Sequence, residues 1–311
     1  MAILFTSKDD DPDAWRAALA AELPDEEFRV WPDETGDPAD MEFALAWGPK
    51  RGVLARFPNL RAIFSLGAGV EHLFRDPDLP AGVPIVRLVD PGLTLRMTEY
   101  VVHWVLHFHR GFHAYAAMER RREWGRLPVP PPPERRRVGI LGLGALGRDA
   151  AETLAALGFD VSGWSRSPKH LDGVRCFTGA DAFHAFLSEL DIAVCLLPLT
   201  EETRGILDRR ALAALPRGAC LINAGRGPQV VEKDLLNALD TGHLDAATLD
   251  VFEIEPLCDD HPFWTHPRVI VTPHIASQTS PSTAAPEIAA NIQRVRAGEA
   301  PFPIAERLRG Y

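Results

Sequence analysis

The chain has 311 residues, 46% of them hydrophobic, and a formal net charge of −10 at pH 7. That charge argues against a nucleic-acid or anionic-membrane partner, whose binding draws on a broad basic surface. No apolar run approaches the roughly 18 residues of a membrane span. The length predicts about two domains, each burying its own core. After a short apolar run the chain reaches Lys8, Asp9, Asp10 and Asp11, which is not a signal-peptide pattern.

In chain order, apolar runs predict strands at Met1 to Phe5, Phe28 to Val30, Phe43 to Ala46, Ala62 to Ser65 and Ile85 to Leu88. A helix is expected over Thr98 to Met118, followed by a stiff proline-rich arm at Pro128 to Pro133. His103, His107, His109 and His113 on that helix form two pairs at i, i+4. No HExxH or cysteine pair accompanies them, so packing or an interface is expected rather than a metal. The run Glu134-Arg135-Arg136-Arg137 reads as a solvated linker. A second series of strands begins at Val138 to Leu141 and continues at Val161 to Trp164, Ile192 to Leu196, Cys220 to Asn223, Ala246 to Leu249 and Val269 to Val271. This alternation predicts an α/β protein with two successive doubly wound parallel sheets. Cys176, Cys195, Cys220 and Cys258 share no CxxC spacing and read as reduced thiols of a cytosolic protein.

The segment Val138 to Gly147 runs an apolar strand through Gly142, Gly144 and Gly147 into a helical stretch, Ala150 to Leu157. In such a GxGxxG turn the first glycine permits the tight turn, the second lets the backbone approach a pyrophosphate, and the third lets helix and strand pack closely. The helix N-terminus, at Ala145 and Leu146, offers unpaired N–H groups to the anion. A dinucleotide is therefore the expected cofactor. Its identity is read at the end of the next strand, where an NAD site usually carries an acid about 20 residues on from the glycines. Here that place reads Ser165-Arg166-Ser167-Pro168-Lys169, and Asp160 stands at the opposite end of the strand. Without an acid to repel a 2′-phosphate, and with Arg166, Ser167 and Lys169 to bind it, NADP(H) is expected to be preferred, with NAD(H) a possible second cofactor.

Three later segments bring chemistry to strand ends. Asn223-Ala224-Gly225-Arg226-Gly227 places an arginine in a glycine-flanked turn, Asp250 to Pro256 carries carboxylates, and Thr272-Pro273-His274 ends a third strand in a histidine. In a doubly wound sheet the carboxyl ends of the strands form the ligand crevice, so Arg226, Glu255 and His274 are expected to converge there. Singly, each also admits a plainer role, as a carbonyl cap, a surface acid and a core histidine.

These residues, with Cys195 to Thr200 and Thr203-Arg204-Gly205, match in order the pattern of the D-isomer-specific 2-hydroxyacid dehydrogenase family, which the chain resembles over nearly its whole length. Within that family it is most similar to the glyoxylate/hydroxypyruvate reductase A branch, through Trp164-Ser165-Arg166-Ser167, the length and the Arg309-Gly310-Tyr311 terminus. The resemblance implies a substrate domain of residues 1–98 plus 276–311 and a dinucleotide-binding domain of 99–275, with a cleft between them. Residues from about 99 to 137 would be a dimerisation helix and arm. The last helix, near Ala284 to Ala297, would return to the first domain.

The resemblance also implies site roles. Leu197, Pro198, Thr203, Asn223, Ala224 and Asp250 would line the cofactor, and Arg226, Glu255 and His274 would be catalytic. Reduction of a 2-oxo acid builds negative charge on a carbonyl oxygen; Arg226 would stabilise it and His274 would supply the proton, with Glu255 favouring the imidazolium and orienting the ring. Ser65 to Val70 is a glycine-flanked anion nest, where the resemblance puts the substrate carboxylate at Ala68 and Gly69, with Arg226 and His274 also touching substrate. Trp47, Arg96 and Met97 are candidates for the pocket wall, and Trp124 for an arm residue that closes the site of a homodimer partner. Other dehydrogenases of the family, acting on phosphoglycerate or bulkier 2-oxo acids, and a noncatalytic dinucleotide sensor are the alternatives.

Overall fold

A computed structural model describes residues 2–307, so Met1 of the expected first strand and the Arg309-Gly310-Tyr311 terminus lie outside the described residues. The chain forms two compact units, one running to Leu93 and resuming at Gln278, the other spanning Thr94–Ser277. The first holds β1 (Ala2–Ser7), α1 (Pro12–Glu22), β2 (Glu27–Val30), β3 (Met41–Trp47), β4 (Ala62–Ser65), α2 (Glu71–Phe74) and β5 (Ile85–Val86). Helix α3 (Pro91–His109) leads into the second unit. There follow α4 (Phe112–Arg120), β6 (Arg137–Leu141), α5 (Ala145–Ala156), β7 (Asp160–Ser165), β8 (Val174–Thr178), α6 (Phe183–Leu187), β9 (Ile192–Cys195), α7 (Arg209–Ala214), β10 (Ala219–Asn223), α8 (Glu232–Asp240), β11 (Leu244–Leu249) and β12 (Val269–Val271). Helix α9 (Pro281–Arg296) belongs to the first unit.

Both sheets are parallel. The first has the order β2-β1-β3-β4-β5, the flavodoxin-like arrangement, and the second β12-β11-β10-β9-β6-β7-β8, the Rossmann order. In the first unit Leu4, Met41, Ala44, Ile63 and Ile85 build the core, and α9 packs against α1 and β4. Arg296 on α9 forks onto Glu26 at 2.5 and 2.7 Å.

The second sheet is covered on both faces, as a parallel sheet must be, and its strands alternate between two cores. Val138, Ile140, Ile192, Val194 and Ile222 face Val101 and Val105 of α3 and Ala151 and Leu154 of α5. Leu141, Ala193, Cys195 and Leu221 face Phe186 of α6, Leu212 of α7 and Leu235 of α8. Burying each large aliphatic side chain contributes about 1.5–3 kcal/mol, so both faces anchor the strand ends that carry the site. The strand order reverses between β6 and β9, which puts the Gly142 turn and the Leu197-Pro198 segment at the switch point.

Two local expectations differ from the structure. The helix expected over Thr98 to Met118 is two helices, because Gly111 lies in the left-handed region at φ 70° and breaks the ladder between α3 and α4. Strand β8 carries no strong apolar run; it is an edge strand whose side chains are only partly buried, so its pattern is diluted by Arg175.

Candidate active site

The glycine turn has the shape its sequence demands. Gly142 sits at φ 105°, where an added Cβ would lie 2.8 Å from the Leu196 carbonyl oxygen, and a Cβ on Gly147 would lie 1.8 Å from the Gly142 carbonyl oxygen. Around Gly144 the same test meets nothing within 4 Å. The turn is thus closed toward the protein and open at the one position where a phosphate must approach, at the N-terminus of the 12-residue α5. Ala145 is exposed and Leu146 half-buried beside it.

At the carboxyl end of β7, Ser165 is buried and donates to the Ser167 carbonyl at 2.7 Å, which turns the chain so that Arg166, Ser167 and Lys169 are exposed. Asp160, at the other end of β7, pairs with Arg175 at 3.6 Å. The residues present therefore fit a dinucleotide with a phosphate on its ribose better than one without.

Following β9 and β10, two turns are fastened by a residue the sequence did not single out. Gln229, fully buried, donates from Nε2 to the carbonyls of Leu197 (2.7 Å) and Pro198 (3.1 Å). Its Oε1 accepts from the Arg226 N–H (2.8 Å) and from the Cys195 thiol (3.3 Å), whose proton burial retains by pushing the group up to about 12. One amide uses its full bonding capacity to tie the Leu197-Pro198 segment to the Arg226 turn. Thr203 Oγ1 also donates to Pro198 O at 2.6 Å. In the Arg226 turn, Asn223 Nδ2 donates to Arg226 O, Gly225 N donates to Asn223 Oδ1, and Arg226 Nη1 donates to Gly225 O at 2.7 Å. Ala224 is buried, and Gly227 packs so close to Phe252 that a Cβ would fall 1.8 Å from its carbonyl carbon.

His274 and Glu255 come together. His274 Nδ1 lies 2.7 Å from Glu255 Oε2, and Glu255 Oε1 accepts from Phe252 N–H at 3.0 Å. Burial opposes ionisation of Glu255. The hydrogen bonds from His274 and Phe252, with the charges of His274 and Arg226, outweigh it and hold the carboxyl below its ordinary range. An ionised carboxylate only accepts, so Nδ1 carries the proton of this bond. His274 stands at φ 54°, a left-handed conformation unusual for a residue with a Cβ.

Asp250, expected to support the nicotinamide side, is buried and turned toward the His274 loop. Its Oδ1 accepts from Thr272 Oγ1 (2.6 Å) and Ile275 N–H (2.9 Å), its Oδ2 from Ala276 N–H (2.9 Å), and its carbonyl from His274 N–H (2.9 Å).

The remaining candidates fall as follows. Trp47, Ala68 and Gly69 belong to the first unit. There the Trp47 ring packs against His72, centroids 4.4 Å apart and planes tilted by 59°, and presses on Gly67, where a Cβ would lie 2.7 Å from it. Ser65 Oγ donates to Gly69 O at 2.7 Å and Thr279 Oγ1 to Leu66 O at 2.6 Å, which fixes the nest. Arg96 is half-buried in the second unit, and Met97 is buried in that unit's core. Trp124 is fully exposed at 101%. His113 pairs with Asp245 at 2.8 Å, and the ring of buried His109 packs on Phe159. Among the described residues no group of three or more His, Cys, Asp or Glu is placed to hold a metal, and no helix is long and apolar enough to cross a membrane.

The family model for the D-isomer specific 2-hydroxyacid dehydrogenase NAD binding domain matches residues 102–276. A glyoxylate/hydroxypyruvate reductase A of Serratia proteamaculans is 44% identical over 316 residues, with all of both chains covered, and one of Yersinia enterocolitica is 42% identical with the same coverage. Among solved structures, a D-isomer specific 2-hydroxyacid dehydrogenase of Xanthobacter autotrophicus in complex with NADPH and MES is similar at TM-score 0.96 and 46% identity, over 100% of this chain and 99% of that one. An NADPH-dependent glyoxylate/hydroxypyruvate reductase of Sinorhizobium meliloti in complex with NADP and sulfate is similar at TM-score 0.93 and 38% identity, with both chains fully covered. With the glycine turn, the Arg226 turn and the His274–Glu255 pair in one parallel sheet, these similarities show that the chain belongs to the D-isomer specific 2-hydroxyacid dehydrogenase family.

Proposed function

We propose that this protein is an NADPH-preferring reductase that converts small 2-oxo acids, glyoxylate and hydroxypyruvate among them, to 2-hydroxy acids. The observation that carries this reading is the 2.7 Å His274–Glu255 pair beyond the carboxyl ends of β11 and β12, in a sheet with a dinucleotide turn. The names of the full-length relatives and the NADPH and NADP bound by two of the solved structures support the substrate class and the cofactor. In this reading the unit containing Thr94–Ser277 is the cofactor domain and the other unit is the substrate domain.

When bound, NADPH supplies the hydride. Gly142, Gly144, Ala145, Leu146 and Gly147 would receive the pyrophosphate, and exposed Arg166, Ser167 and Lys169 the 2′-phosphate, while Ser165, its hydroxyl proton given to the Ser167 carbonyl, shapes the turn that presents them. Leu197, Pro198, Thr203, Asn223, Ala224 and Asp250 line the rest of the cofactor. Ala68 and Gly69 hold the substrate carboxylate, with Trp47 as a wall. Arg226 stabilises the charge that develops on the carbonyl oxygen. His274, its Nδ1–H held by Glu255, turns Nε2 toward that oxygen and delivers the proton there.

The chain acts in the cytoplasm as a homodimer. Leu106 and Phe112 on α3 and α4, and Trp124 and Val129 on the arm, are exposed apolar side chains that a second copy would cover. The test of the activity is the loss of nicotinamide absorbance when the purified protein meets NADPH or NADH with a panel of 2-oxo acids. Turnover of glyoxylate or hydroxypyruvate, faster with NADPH, is expected. Turnover only of bulky 2-oxo acids, or none with any acid despite tight NADPH binding, would overturn the reading.

A further inference from the structure

The loop that carries His274 is held by a chain of side chains that begins outside it, on α3. Tyr100 Oη lies 2.7 Å from Thr272 Oγ1, and Thr272 Oγ1 in turn donates to Asp250 Oδ1 at 2.6 Å. A threonine hydroxyl has one proton. Since that proton goes to Asp250, the Tyr100 hydroxyl must be the donor of its own bond, and the chain has one direction: Tyr100 to Thr272 to Asp250. Both Asp250 carboxyl oxygens then accept the N–H groups of Ile275 and Ala276, and its carbonyl accepts that of His274. These bonds clamp the backbone on both sides of His274, whose φ of 54° persists only where the surroundings over-determine it. We propose that Tyr100 is a positioning residue for the reaction, acting through Thr272 and Asp250 to hold the His274 imidazole against Glu255.

The surroundings keep Tyr100 in the donor role. Burial, followed by the nearby Asp250 charge, raises the phenol well above its ordinary range, so it stays protonated at any working pH. Its ring lies 6.0 Å from that of Trp104 on the same helix, which limits its rotamers. A hydrophobic contact in place of this hydrogen bond would hold α3 to the sheet, and Val101 and Val105 already do so.

The proposal rests on the reductase reading for its kinetic arm, and a second arm needs no turnover. In protein labelled with 15N at histidine, the Nδ1–H signal of His274, assigned by its loss in His274→Gln, reports the bond to Glu255. In Tyr100→Phe this signal is expected to shift or broaden. With the best 2-oxo acid, kcat should fall about 3- to 10-fold, the scale of one net hydrogen bond, while KM for NADPH and for the acid stays within about 2-fold. Thr272→Val should do the same or more, and Thr272→Ser, which keeps the hydroxyl, should restore both readouts. An unmoved Nδ1–H signal in Tyr100→Phe overturns the proposal, whether kcat is unchanged or falls only in step with thermal stability. If no 2-oxo acid is turned over by the parent protein, the reductase reading fails and the His274 signal alone decides the role of Tyr100.

Discussion

Replacing Gln229 with leucine keeps roughly the volume of a buried side chain and removes all of its hydrogen bonds. The Arg226 N–H loses its acceptor, and the carbonyls of Leu197 and Pro198 lose the Nε2 donors. A buried polar group left unpaired costs about 1–3 kcal/mol, and the weaker thiol bond from Cys195 adds little. Pro198 O keeps the Thr203 hydroxyl, so two groups, the Arg226 N–H and the Leu197 carbonyl, are left unpaired. Offset by about 1 kcal/mol for a more apolar side chain in a buried place, they give an expected loss of about 1–5 kcal/mol. Urea unfolding followed by tryptophan fluorescence reads this directly. Because the same amide holds the Arg226 turn to the Leu197-Pro198 segment, both NADPH affinity and kcat/KM for the 2-oxo acid should fall with it. Gln229→Glu keeps an acceptor for Arg226 N–H but turns a carboxylate oxygen toward two carbonyl oxygens, and it should be at least as damaging. A loss below about 1 kcal/mol in Gln229→Leu, or a Gln229→Glu protein as stable as the parent, would refute the reasoning.

Three other predictions follow from single contacts. Arg166→Ala should weaken NADPH about 10-fold or more and NADH hardly at all, because only the former offers a phosphate for a charge-assisted bond; titration with both cofactors checks this, and equal losses would remove the basis for NADP preference. Gly227→Ala puts a methyl group 1.8 Å from the Phe252 carbonyl carbon, both atoms being backbone-fixed, so the variant should lose about 3 kcal/mol or more or fail to accumulate as folded protein. Parent-like unfolding would contradict the packing described. Burial, with the neighbouring His113 and His103, lowers His107 to about 4. The unfolded chain therefore takes up this proton first, and the stability due to the neutral ring is present above about pH 6.5 and lost as pH falls toward about 4. Discounted for its partial exposure, the effect is about 1 kcal/mol, and His107→Gln should flatten that part of the acid limb in urea unfolding between pH 7 and 4.

Much of this was legible because the relevant signals are local. An apolar strand running into glycines at fixed spacing encodes its own turn, and Gly142 and Gly147 are where a side chain would collide with backbone. The strand ends at Asn223 and Leu249 were read from buried apolar runs that a fully covered parallel sheet requires, and that at Val271 from a short apolar run that is partly buried at the sheet edge. What escaped was set by tertiary neighbours. Edge strand β8 buries too little to show a pattern, and Gly111 breaks a helix only because the chain adopts a positive φ there. Gln229 has no motif of its own; three residues after Arg226 in a glycine-flanked turn, it becomes a clasp only when β9 brings Leu197 and Pro198 against it. Tyr100 is hidden for the same reason, since its partner Thr272 lies 172 residues away in sequence.

The most direct test of the account is a single-turnover measurement of NADPH oxidation by a 2-oxo acid in the parent and in His274→Ala, with NADPH binding measured alongside. With His274, held by Glu255, as the proposed general acid, the account predicts a rate lower by about 100-fold or more with NADPH affinity nearly unchanged. An unchanged rate in His274→Ala would contradict the assignment of His274 as the proton donor and, with it, the mechanism built on this pair.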